Sequence, residues 1–317
     1  MADYGRANLE VFAETLLELA QADRDVVVVT SDSRGSGKLT PFGQALPDQH
    51  IEVGIAEQNL VGVAAGLASA GKKVFAVSPA CFLTARALEQ IKNDVAYSDN
   101  PVRVIGISAG VSYGALGTTH HSLHDFAALR AINNIDIVTP ADNFETQAVI
   151  RAAIQHPRPL YIRFGKRPML NLHAADTHFQ IGKAITIREG NEITFVATGE
   201  TVAPAVLAAD VLEAQGISTR VISMHTLKPF DEPTLLAAAG DTRILITVEE
   251  HSVYGGLGEC CAALLMEHRQ FPLFRIVGFP DEYLATGSQS EIFEHYGISP
   301  AGLAHTALSL LQHEATR

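Results

Sequence analysis

Three short segments of this chain carry residue types that can do chemistry. In 51-IEVGIAEQNLVGVAAGLASAG-71, Glu57 sits between Gly54-Ile55-Ala56 and an almost wholly apolar helical stretch with small residues at Gly62, Ala64, Ala65, Gly66 and Ala68. Burying a carboxylate in such surroundings favours its protonated form and suits it to sharing a proton. The plainer alternative makes Glu57 and Gln58 polar residues at a helix N-terminus, where the dipole favours an anion. The small residues predict a close neighbour, either another helix or a flat ligand.

In 114-GALGTTHHSLHD-125, His120, His121 and His124 are spaced within reach of one metal on a helix face. No fourth ligand is evident, and Gly114 and Gly117 predict a loop, which argues against zinc. Imidazoles on a loop can instead hydrogen-bond a polyhydroxylated substrate, or be plain surface histidines. The segment 31-SDSRGSGK-38 imitates a phosphate loop, but Asp32 takes the first glycine position and Leu39 follows Lys38. An anion can still be held there by backbone amides, Ser36 and Lys38. GGLGECC at 255–261 imitates a dinucleotide fingerprint but lacks its final glycine or alanine, so a nicotinamide site is rejected.

Phe82, in PACFLTARALEQIKNDV, follows a strand and can offer an aromatic face, although core is the commoner role of such a residue. Cys81 beside it has no activating base and reads as an inert small hydrophobe. Glu249, Glu250 and His251 follow a strand, where α/β sheets host ligands. They equally suit an interface or a helix start.

These residues need elements to hold them. The apolar runs Val26–Thr30, Val74–Val77, Val102–Ser108, Ile135–Thr139 and Leu160–Phe164 are continuous and β-branched, the pattern of strands buried on both faces of a parallel sheet. Between them, residues 8–20 place Leu9, Phe12, Leu16 and Leu19 on one helical face. A second helix is predicted over 143–155, started by Asp142 with Glu145 three positions on, as in a capping box. The rhythm breaks over 165–185, which mixes Pro, Asn, His and Gly, and restarts with Ile193–Ala197, a helix over 202–215, Thr219–Ser223, Ile244–Val248, a helix over 256–268, Phe274–Val277 and a last helix over 301–313. The expectation is α/β, with two doubly wound, mostly parallel-sheet domains at 1–168 and 186–317 joined by a linker at 169–185.

With 47% hydrophobic and 18% charged residues, global disorder is excluded. A net charge of −12 without basic clusters makes nucleic acid and anionic membranes poor partners. No apolar run approaches the roughly 20 residues of a membrane span, and the N-terminus carries no visible secretory signal. Three cysteines suit a reducing, cytoplasmic setting.

Taken in order, the segments resemble the C-terminal part of a transketolase over the whole chain. GIAEQNLVGVAAGLA is similar to that family's glutamate-bearing motif, and GALGTTHHSLHDFAALR to its histidine loop. PADNFE, PLYIRFGK, VISMHTLKPFD and TVEEHSVYGGLGE follow at similar intervals. Several strings are shared by deoxyxylulose-phosphate synthases and the beta subunits of 2-oxo-acid dehydrogenases. The resemblance implies a thiamine-diphosphate pyrimidine-binding domain followed by a transketolase C-terminal domain. It implies that Glu57 touches the cofactor's aminopyrimidine nitrogen, that Phe82 packs against that ring with Ile55 also binding the cofactor, and that His120 hydrogen-bonds the donor hydroxyl or the reaction intermediate. The implied reaction is transfer of a two-carbon ketol unit from a ketose to an aldose. The decarboxylating relatives and a non-catalytic assembly role are the alternatives.

The family's diphosphate and Mg2+ or Ca2+ are held by a GDG…N motif, and no GDG occurs here; GDT at 240–242 is a late helix-to-strand turn. The resemblance therefore implies an N-terminal partner subunit carrying that motif, the cofactor between the two chains, and an α2β2 assembly. Leu9 stands where many members have an arginine, Ser108 where many have a sugar-phosphate histidine, and Leu116 where an acid is expected. Lys166 replaces an arginine and loses the bidentate fork. Ser36 matches a phosphate-binding serine, and Asp32 is carried over beside it as a substrate residue. These departures imply that the acceptor is not a standard pentose phosphate, or that its anionic end is held differently.

Overall fold

The computed structural model describes residues 3–174 and 176–315. Two sheets dominate. The larger has seven strands in the spatial order Thr226–Lys228, Asp136–Val138, Leu160–Phe164, Arg103–Ile107, Lys73–Pro79, Val26–Thr30 and His50–Glu52. All neighbours pair in parallel except Thr226–Lys228, which runs antiparallel against Asp136–Val138. The smaller sheet orders Leu273–Phe279, Ile244–Ser252, Ile193–Ala197, Thr219–Ser223 and Ile185–Arg188, again parallel except at the last edge. The central strands are buried along their length because helices cover both faces. That is why they read as unbroken apolar runs.

Helix Asn8–Ala22 buries Leu9, Phe12, Leu16 and Ala20 on one flank of the large sheet, and helix Glu57–Ser69 buries Leu60, Val61, Ala64 and Ala68 on the other. Asp142 caps helix Asn143–Ala153 by accepting from the Glu145 amide at 3.0 Å. The reciprocal arm of the predicted capping box lands one residue early: Glu145 accepts from the Ala141 amide at 2.7 Å, and its other oxygen accepts from Ser223 Oγ in the second sheet.

Five strands escape the sequence pattern: Tyr4–Ala7, His50–Glu52, Pro168–Leu170, Ile185–Arg188 and Thr226–Lys228. All are short, and three lie at edges of the two large sheets while two form a separate pair. Edge strands need no continuous apolar run, so their sequences carry no such signal. The stretch predicted as a linker opens with one of them. It is also pinned further on: His173 donates from Nδ1 to Asp142 at 2.8 Å, and its Nε2 lies 3.1 Å from Glu145 as an ion pair. Among the described residues no helix is long and apolar enough to cross a membrane.

Candidate active site

In parallel sheets, ligands collect beyond the carboxyl ends of the strands. Each sequence-predicted site residue of the first sheet sits there. Asp32 and Ser36 follow Val26–Thr30, Ile55 and Glu57 follow His50–Glu52, Phe82 follows Lys73–Pro79, and Lys166 follows Leu160–Phe164.

Glu57 is the first residue of its helix and only 5% exposed. Its carboxylate is not the cap of that helix but the acceptor of a 2.8 Å bond from Arg86 Nη1. It opens on a cleft of about 590 Å3 lined by Ile55, Ala56, Gln58, Asn59 and Arg86. Ile55 stands at the mouth, 75% exposed, an apolar surface with no partner in this chain's core.

Phe82 is half-buried rather than core. One face meets the Arg86 guanidinium, whose Cζ lies 4.2 Å from the ring centroid, and its edge meets His120 at 5.3 Å between centroids. His120 also packs edge-on against Tyr113 at 5.3 Å, and the Lys166 ammonium lies 3.7 Å over the Tyr113 ring. The fold thus links Glu57, Arg86, Phe82, His120, Tyr113 and Lys166 by successive contacts. Partial burial lowers the Lys166 pKa, with Lys38 nearby pushing the same way. Burial also raises the Tyr113 phenol.

The three histidines diverge. His121 is buried, its Nε2 3.0 Å from the Gly114 carbonyl, and burial lowers its pKa. His124 Nε2 lies 3.3 Å from Thr84 Oγ1, and His120 Nδ1 lies 2.9 Å from Thr119 Oγ1. No cluster of three or more potential metal-ligating side chains occurs among the described residues.

The 31–38 loop spends part of its amides on its own turn. Gly37 and Leu39 donate to the Ser33 and Arg34 carbonyls at 2.8 Å, and Lys38 donates to Gly35 at 3.2 Å. The Asp32 amide donates to Glu52 at 2.7 Å. The expected amide cradle for an anion is therefore narrowed rather than lost: among the described residues no acceptor takes the Arg34, Gly35 or Ser36 amide, and these stand beside the exposed side chains of Ser36 and Lys38. The Ser36 hydroxyl donates to Ser33 at 3.1 Å, and Lys38 lies 3.4 Å from Glu10. Of the family departures, Leu9 is buried in the core, Ser108 is buried with a φ of 54°, and Leu116 is 56% exposed.

Glu249, Glu250 and His251 prove to be interface and helix-start residues. Their strand runs on to Ser252. Glu249 accepts from the Leu257 and Gly258 amides at 2.7 and 2.8 Å, which also occupies the turn of the GGLGECC segment. Burial nonetheless raises the Glu249 pKa to about 7. Glu250 accepts from the Val111 amide and from Gln289 Nε2. Burial, reinforced by Glu200, raises its pKa. Gly110, at φ 60°, leaves room for this carboxylate, since a Cβ there would collide with it. His251 stacks on Phe126 at 4.9 Å, and burial lowers its pKa to about 4. Arg163 closes the seam by pairing with Asp125 at 2.8 Å, and Tyr161 donates to the same carboxylate. The cavity beside Glu200 and Glu250 is about 10 Å3, no more than one water. This is a packed joint between sheets and not a ligand site.

Arg86 and Tyr113 are the two members of the cluster that the sequence reading misses. Arg86 had a signal, since it lies one helical turn after Phe82. Tyr113 is delivered by a turn through Gly110 and Gly114, both at positive φ.

Residues 5–169 match the transketolase pyrimidine-binding domain and residues 182–303 the transketolase C-terminal domain. The chain belongs to the transketolase family and is a transferase subunit. It is 47% identical over 302 residues to an apulose-4-phosphate transketolase subunit of Phocaeicola vulgatus, covering 95% of this chain and 96% of that protein. A 6-deoxy-6-sulfo-D-fructose transketolase subunit of a Clostridium species is 36% identical, with 97% and 94% covered. A solved split-gene transketolase, described as an inactive beta4 tetramer, superposes with a TM-score of 0.88 at 35% identity over 97% of this chain and 99% of that one.

Proposed function

We propose that this chain supplies the pyrimidine-binding half of a two-chain, cytoplasmic, thiamine-diphosphate-dependent transketolase that moves a two-carbon ketol unit from a ketose to an aldose. One observation carries it: a buried carboxylate, Glu57, and a half-exposed aromatic face, Phe82, line adjoining clefts and share a single planar neighbour, Arg86. That set fits an amino-substituted aromatic ring, which needs an acceptor at its edge and a flat apolar surface beneath it. When bound, thiamine diphosphate supplies the carbanion nucleophile and the electron sink.

The chain's own residues do the rest. Glu57, shielded from water, shares a proton with a ring nitrogen and fixes which nitrogen carries it. Phe82 and the exposed Ile55 give the ring its apolar contacts. His120, held edge-on between Phe82 and Tyr113, hydrogen-bonds a sugar hydroxyl. Asp32, Ser36 and Lys166, with Lys38 beside them, form the rim where the substrate's polar or anionic end is held. Two relatives named for apulose 4-phosphate and 6-deoxy-6-sulfo-D-fructose support an acceptor or donor other than a standard pentose phosphate. The diphosphate and a Mg2+ or Ca2+ ion are assigned to an N-terminal partner with a GDG…N motif, in an α2β2 assembly.

The test is reconstitution. The chain is expected to show no ketol transfer alone and to gain thiamine-diphosphate-dependent transfer with the partner. Full activity of the chain alone overturns the split, and carbon dioxide release from pyruvate in place of ketol transfer overturns the reaction.

A further inference from the structure

Two clefts lie side by side in this molecule, one beside Glu57 and one of about 490 Å3 beside Phe82, Thr118, Thr119 and His124. Arg86 lines both. Its Nη1 donates to Glu57 Oε1 at 2.8 Å while its Cζ lies 4.2 Å over the Phe82 ring. The guanidinium therefore borders both clefts and is, among the described residues, the one lining residue they share. Its side chain is 50% exposed, whereas that of Glu57 is 6% exposed. It rises from the last turn of the short helix Ala80–Arg86, with solvent on its open side.

A guanidinium is planar, stacks on aromatic faces, and presents N–H donors at its edge. An aminopyrimidine ring has the same three properties. We propose that Arg86 is a placeholder for that ring: it makes the ring's two contacts in the unloaded chain and is displaced into solvent when the cofactor binds. This rests on the thiamine-diphosphate reading given above. The placeholder keeps the buried Glu57 carboxylate compensated before loading, since an unpaired buried charge is costly. It also sets the affinity, because the incoming ring competes with an existing ion pair and an existing stack. Both are weak when half-exposed, so displacement is easy but measurable.

The test is calorimetric titration of thiamine diphosphate into the chain reconstituted with its partner. Arg86→Ala is expected to tighten Kd roughly tenfold, with Arg86→Lys in between because it keeps the charge and loses the plane. A structural role for Arg86 predicts the opposite sign, a weaker Kd, and either that result or an unchanged Kd overturns the placeholder. Should Arg86→Ala fail to fold, Arg86→Lys alone decides, by tightening or not. Absence of binding by the wild-type complex overturns the cofactor reading instead, so the two failures are told apart.

Discussion

The cleft region around Glu57 and the Arg163 seam are both built from charges at the carboxyl ends of buried strands, and they differ in who answers those charges. In the seam the charges are answered within the chain, although Glu200 Oε1 and Gln289 Oε1 are buried without a hydrogen-bond partner. Asp125 holds Arg163 and Tyr161, Glu250 holds an amide and Gln289, and Glu249 holds two amides. In the cleft region, Glu57 has one half-exposed guanidinium, Phe82 shows an open surface, and Ile55 faces solvent. Charge and strand position alone do not mark a site. Open surface beside them does.

The contrast breaks most visibly at Glu57. In the reconstituted enzyme, Glu57→Ala is expected to cost about 100- to 10,000-fold in kcat, the range for a positioned proton-transfer group, while the unfolding midpoint stays near wild type. A melt lowered as far as that of a seam variant would erase the distinction. Next comes Arg163→Met, which strips the buried Asp125 of its cation and leaves it the Tyr161 hydroxyl. It should destabilise the chain by about 3–5 kcal/mol, read as a fall in melting temperature of about 6–20 °C.

The smallest effect sharpens the comparison through pH. Burial opposes charge on His173, yet its bonds to Asp142 and Glu145 and the charges of those two carboxylates outweigh that cost and hold its pKa at about 9. A raised imidazole pKa means the folded state holds a proton that the unfolded state gives up. The stability it confers is complete below about 6.5 and lost as pH rises through 9. Thermal melts should fall across that window by an amount worth about 3 kcal/mol, and His173→Asn should flatten the slope. A slope unchanged in the variant would remove the histidine from the account.

Much of this was legible beforehand, for identifiable reasons. Glu57 stands out as a carboxylate beside an apolar, small-residue stretch, although a helix N-terminus explains a charge there equally well. The central strands stand out because burial on two faces forces unbroken β-branched runs. What stays hidden is pairing across long separations. Gln289 meets Glu250 across 39 residues and Ser223 meets Glu145 across 78, and no periodicity encodes either. The capping signal at Asp142 and Glu145 shows the boundary well, since its Asp142 arm holds while the Glu145 side chain goes to Ala141 and, across the fold, to Ser223. The loop at 31–38 shows the same boundary: its composition suggests an anion cradle, and its geometry spends some amides inward while leaving those of Arg34, Gly35 and Ser36 without an acceptor among the described residues.

The strand Thr226–Lys228 has a bearing on how such a polypeptide can be divided. It comes from the second half of the chain but completes the first half's sheet, and Lys228 Nζ also donates to the Arg130 and Ile132 carbonyls. A gene broken in the 165–185 stretch would deliver a first fragment with a bare Asp136–Val138 edge and a second with an orphan strand. The two halves of the chain are thus tied by this shared edge, and a division of the chain there separates strands that pair.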